Sequence, residues 1–203
     1  MFCSFLLRFA GVILVVFLFS QPLLSAEIKT NPQGGNWHSS STWEGGKIPS
    51  TDDNVIIDAI VYLNTDMTEI DSCNSLTITE KGELHSFKNT LSQLNVLNEL
   101  VNYGKIFKEE DDNFLLMTSG NLMNFGIIEE VTLFLFLESK TNLLSGTFDC
   151  LTFFKSNSDN PEYHFRVIGN TKFNKTITVD APLIIDDNAE MKILEASLDG
   201  IFN

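Results

Sequence analysis

The sequence predicts an all-β protein, specifically a single-stranded right-handed parallel β-helix (a β-solenoid) of about 22 residues per coil with an N-terminal cap. Three observations carry this. Short runs rich in Val, Ile, Thr and Phe recur between Asn, Asp and Gly punctuation. Gly82, Gly104 and Gly126 fall 22 residues apart. Aliphatic residues keep fixed offsets from each of those glycines, and no window after residue 30 shows a helical period.

The elements follow in chain order. Residues 1–26 read as a secretory signal: Arg8, then an apolar run over 9–19, then small residues ending at Ala26. The run covers about half of a roughly 30 Å hydrocarbon core, which favours cleavage after Ala26, with an uncleaved anchor as the alternative. Removing 26 of the 203 residues leaves 177. Residues 27–58 are assigned to the cap, because Gly, Asn, Ser and Pro are dense there and break regular structure. Residues 59–203 are assigned to the coils, with 197–203 resembling an interrupted next coil. About eight coils fit, cap included, making a rod on the order of 40 Å long at about 4.8 Å per coil.

Within the repeat, Ile78, Leu100 and Leu122 lie four residues before the glycines, and Leu84, Ile106 and Ile128 two residues after. Stacked coils would turn such columns into interior rows. The glycines themselves suit a corner needing positive φ or close approach of the next coil. Asn102 and Asn124, two residues before the second and third glycine, suit an amide ladder from coil to coil. An antiparallel meander with turns at similar spacing is the competing arrangement.

The chain carries 13 Lys+Arg against 27 Asp+Glu, a net charge of −14. Such an acidic chain is repelled by nucleic acid and by anionic membranes, so neither is an expected partner, and no membrane insertion is expected once the signal is removed.

Candidate sites are sparse. Trp37 and Trp43 would stack on a sugar if exposed, although their Gly-Gly and Pro context favours packing over the end of the helix. Glu109, Glu110, Asp111 and Asp112 offer oxygens of the kind calcium takes, but without an EF-hand or nonapeptide pattern they read first as solvated corner residues. No other cofactor is expected. Cys73 and Cys150 are either a disulfide of an oxidising compartment or two separate buried thiols. Paired carboxylates for sugar chemistry arise by chance among 27 acids, and His38, His85 and His164 lack metal-ligand spacing.

The stretch 35–49, with Trp37, the Thr42-Trp43 pair, Gly45-Gly46 and Pro49, leads into Asp52-Asp53 and the strand-like 54–57. Together with 74–84 it resembles the G8-like domain and related N-terminal caps of secreted bacterial parallel β-helix surface proteins. The resemblance spans residues 35–87, with Asp52-Asp53 standing where the family has a Gly-Asp pair. It implies an extracellular or cell-surface rod, often one module of a larger protein, and no single agreed reaction. The expected function is therefore a secreted structural or adhesion-type module, non-catalytic, facing a carbohydrate or another surface protein. The alternative is a polysaccharide-active enzyme of lyase or glycoside hydrolase type, or an inactive fragment of one.

Overall fold

The computed structural model describes residues 25–63, 70–86, 91–109, 112–156 and 162–193. Most of the stretch read as a signal, the residues 197–203 read as the opening of another coil, Glu110 and Asp111 lie outside them. Every strand-to-strand ladder among the described residues is parallel, and neighbours in the sheet are consecutive coils. The fold is a β-solenoid of about six turns with coils of about 22 residues.

Each full coil contributes to three faces. The first holds Glu27–Lys29, Asn54–Ile57, 75–78, 99–102, Asn121–Asn124, 142–144, 165–167 and Leu183–Ile185. The second holds Gly35–Asn36, Ile60–Leu63, Glu83–Ser86, Lys105–Phe107 and 127–129. It continues through 146–149, 170–173 and Glu190–Ile193. The third holds 71–73, 91–96, Asn113–Thr118, 132–137, 151–156 and Ile177–Asp180. Strands run through corners at register shifts, as between Cys73 and Ser75 or Leu144 and Gly146. In a parallel pair the return crossover is normally a helix; here the other two faces supply it.

Alternation along each strand sends one residue in and the next out. Inside, equivalent positions stack. Leu76, Leu100, Leu122, Leu144 and Val167 form one row, and Val61, Leu84, Ile106 and Ile128 another. All nine are at most 1% exposed. Burying a side chain of this size stabilises by about 1.5–3 kcal/mol, so these rows are the main cohesion between coils. Higher up, aromatics replace aliphatics: Phe148 stacks on Phe173 with centroids 5.1 Å apart.

One sequence expectation is corrected in register. Ile78 does not sit under Leu100; it pairs with Asn102, and Leu76 occupies the position below Leu100. The link from Ile78 to Gly82 has two more residues than the link from Asn102 to Gly104, so counting back four from the glycine stops two residues short of Leu76. A shift of two leaves the side chain on the same face, so Ile78 remains interior. The stack also begins earlier than residue 59. Glu27–Lys29 pairs with Asn54–Ile57, and Gly35–Asn36 with Ile60–Leu63, so the cap proper is the excursion between Asn36 and Asn54.

Candidate functional site

The cap excursion is two short 3-10 turns, Ser40–Thr42 and Glu44–Gly46, with Gly45 and Gly46 at φ 74° and 71°. It folds Trp37 and Trp43 together. Both indoles are 1% exposed and meet edge to face with centroids 5.1 Å apart. Trp43 Nε1 donates to the Trp37 carbonyl at 2.7 Å. Neither ring has a free face for a sugar; both pack over the end of the stack, the arrangement their Gly-Gly and Pro context favours over sugar stacking.

Asp53 locks the return from the cap. It is 2% exposed and accepts from Lys47 Nζ at 2.5 Å, the Ser50 amide at 2.9 Å and Ser50 Oγ at 2.6 Å. Burial pushes its carboxyl up, but the Lys47 ammonium and the Ser50 donors outweigh that and hold it below the ordinary carboxylate value.

The glycine column works by close approach. Gly82, Gly104 and Gly126 are not among the residues with positive φ. A Cβ on Gly104 would lie 2.1 Å from the Gly82 carbonyl oxygen, and one on Gly126 2.1 Å from that of Gly104. Beside the column, Asn102 Nδ2 donates to Asn124 Oδ1 at 2.8 Å and to the Ile127 carbonyl at 3.0 Å, while Asn102 Oδ1 accepts from the Gly104 amide at 3.1 Å. Asn124 in turn donates to the Thr147 carbonyl. The ladder has two rungs. Ile78 closes it below and Gly146, at φ 127°, above, where a Cβ would collide with Asn124. Between Asn and Gly, Tyr103 and Phe125 stack outside the corner at 5.1 Å, 48% and 59% exposed.

On the second face His85 is 5% exposed and packed between Tyr62 and Phe107, with centroids 5.1 Å and 3.9 Å away. Its Nε2 lies 2.9 Å from Glu83 Oε2 and its Nδ1 3.1 Å from Glu109 Oε1. The His85 contact, followed by Lys105 Nζ at 3.1 Å, holds Glu83 below the ordinary range. Asp112, buried, accepts from Ser86 Oγ at 2.8 Å. Thus Glu109 and Asp112 are turned to protein partners, and Glu110 and Asp111 lie outside the described residues. Among the described residues no group of three or more His, Cys, Asp or Glu side chains is placed to hold a metal ion.

Cys73 and Cys150 are both free thiols at 0% exposure, so the disulfide reading gives way to separate buried thiols. Burial is the main cause that pushes each up to about 12.

Sequence reasoning missed two outer features. A polar groove of about 660 Å³ crosses the corner between the third and first faces, lined among others by Asn98, Glu99, Asn121, Glu138, Ser139 and Thr141. Its residues come from several coils, and only the stack brings them together. The third face also carries an outward aromatic column, Phe134 over Phe153 at 4.7 Å and 13°, with Phe136 beside Phe134 at 6.2 Å. The signal was present in the alternation of residues 131–137, which places Phe134 and Phe136 opposite Leu133, Leu135 and Leu137.

No protein-family model matches the chain, and no curated protein and no solved structure matches it either.

Proposed function

We propose that the chain is a secreted or cell-surface structural module of adhesion type, non-catalytic, whose sheet faces meet a carbohydrate or another surface protein. The observation that carries this reading is the stack itself. Six successive coils put one outward column, Ser72, Asn95, Met117, Phe134, Phe153 and Thr178, along the length of the third face. Flat repetitive faces of this kind are suited to extended partners. The signal-like N-terminus and the resemblance of residues 35–87 to G8-like caps support an exported location. A glycan array and a reducing-sugar assay on the same preparation test the reading. Retention on one glycan class or one surface protein without product release supports it; release of product overturns it. Sequencing the N-terminus of the exported chain tests cleavage after Ala26.

A second reading, a polysaccharide-active enzyme, is favoured by one observation: Glu99 and Glu138 line the same polar groove. Two carboxylates flanking a sugar chain are the minimal equipment for glycoside hydrolysis. It requires product release that Glu99→Gln or Glu138→Gln abolishes.

A further inference from the structure

We propose that the third face is the contact through which two copies of this chain pair. The strip at its centre comes from three consecutive coils: Leu115 and Met117, then Phe134 and Phe136, then Leu151 and Phe153. These side chains point out of the stack and are half-buried, with Leu151 43% exposed. Polar neighbours close the strip along the rod, with Gln93 and Asn95 one coil before it and Thr178 one coil after. A bounded apolar patch of this kind on a sheet face is an interaction surface.

Charge selects the occupant. The chain is at −14, so two copies repel one another through most of their surface. The first face exposes Glu99 and the second exposes Glu129, while Glu190 on the second face pairs with Lys192 at 3.2 Å. Among the described residues on the strands of the third face, the outward charges are Lys155 and Asp180, which pair with each other at 3.1 Å. This is the face by which an acidic molecule can approach its own kind.

Register makes the strip self-complementary. Leu115 and Leu151 share one column, flanking Thr132, and Met117 and Phe153 share the next, flanking Phe134. A two-fold axis lying along the 132–137 strand exchanges the coil below with the coil above and keeps the columns. It therefore sets Met117 against Phe153 of the other copy, Leu115 against Leu151, and Phe134 and Phe136 against themselves. Such a contact is isologous and closed. The sulfur of Met117 then meets an aromatic ring, a favourable pairing. Neither Lys155 nor Asp180 meets its own copy in this arrangement. Because Phe134 and Phe153 already stack on each other, their edges rather than their faces look outward, which suits an apolar protein surface better than a sugar ring.

The pairing occupies the third face and leaves the other two faces to a carbohydrate or protein partner; it does not depend on that partner and is tested without any glycan. Sedimentation velocity of the purified chain should show a dimer at micromolar concentration. Phe134→Glu should raise the dimer dissociation constant by about tenfold or more, while the monomer, having lost the stack on Phe153, still unfolds in a single cooperative transition at a slightly lower temperature. Met117→Lys and Phe153→Glu should each weaken pairing, and the double variant should recover it in low salt, because the axis brings Lys against Glu. Phe134→Gln serves if the Glu variant fails to fold. A chain that stays monomeric, an association that Phe134→Glu and Phe134→Gln leave untouched, or a double variant no better than its parents overturns the proposal.

Discussion

Asn102 and Asn124, 22 residues apart in the chain, join their side-chain amides at 2.8 Å inside the corner of consecutive coils. Both are buried, Asn102 completely. The amide of Asn102 makes three bonds that no apolar residue replaces. Asn102→Leu keeps the branched side-chain shape but leaves the Gly104 amide, the Ile127 carbonyl and Asn124 short of a partner. Each buried group left unpaired costs about 1–3 kcal/mol, so the variant should lose several kcal/mol in urea unfolding. A loss below about 0.5 kcal/mol, the scale of a neutral surface change, would mean the ladder is incidental.

Gly104→Ala tests the corner from the other side. The new methyl meets the Gly82 carbonyl oxygen at 2.1 Å and the Thr79 carbonyl oxygen at 2.4 Å, both backbone. Neither can rotate away, so the coils must separate. Overpacking a tight site costs about 1–3 kcal/mol and occasionally more, and this site belongs at the upper end. Gly45→Ala is the control: it has positive φ but nothing within 4 Å, and should lose only about 1–2 kcal/mol. Equal losses in the two variants would contradict the stacking argument.

These two positions also show what the sequence could reveal. The 22-residue spacing of Gly82, Gly104 and Gly126 is legible because one backbone contact repeats, and so is the row of Leu84, Ile106 and Ile128. The row before the glycines was misread at Ile78 because corner lengths vary while strand register does not. Asn121–Asn124 was hard to recognise as a strand, since two of its four residues are Asn. Here pairing with Glu99–Asn102 overrides propensity. The cap residues were visible as unusual, and their Gly-Gly and Pro context pointed to end-packing of Trp37 and Trp43 without fixing how the two rings meet. The edge-to-face contact depends on where a 17-residue excursion lands, and no local pattern fixes that. The groove at Glu99 and Glu138 was invisible for the same reason, being assembled from separate coils.

The chain contains two Trp residues, and both sit in the cap. Native fluorescence should be blue-shifted and weakly quenched by iodide. Trp43→Phe removes the donor to the Trp37 carbonyl and should cost about 1–3 kcal/mol. Red-shifted, readily quenched emission from the folded chain would contradict end-packing.

Asp53 gives the stack an acid-sensitive latch. Its carboxyl is held below the value near 3.9 expected of an unfolded Asp. The ionised form is therefore favoured by folding. Its contribution is fully present above the unfolded value and lost as pH falls through the lower folded value. Asp53→Asn should be clearly less stable than the parent at neutral pH, and the gap should narrow as the solution is acidified below about pH 4. Urea midpoints of both chains across that range measure it. A gap that does not vary with pH would assign the effect to packing alone.

Cys73 and Cys150 make the last prediction, which bears on redox history. Both thiols are wholly buried, and burial pushes each up to about 12, so neither supplies thiolate at ordinary pH. Alkylation needs both access and thiolate, and the folded stack denies both. Iodoacetamide at mildly alkaline pH should leave Cys73 and Cys150 unlabelled in the native chain and modify both once urea opens it, without reductant. Peptide mass mapping distinguishes the results. Rapid labelling of the native chain would show that the corners beside these residues open freely. A Cys73–Cys150 cross-linked peptide would require the third-face strand at 71–73 and the corner at 150 to approach each other, which conflicts with their places in separate coils. Each thiol therefore reports opening of its own part of the rod.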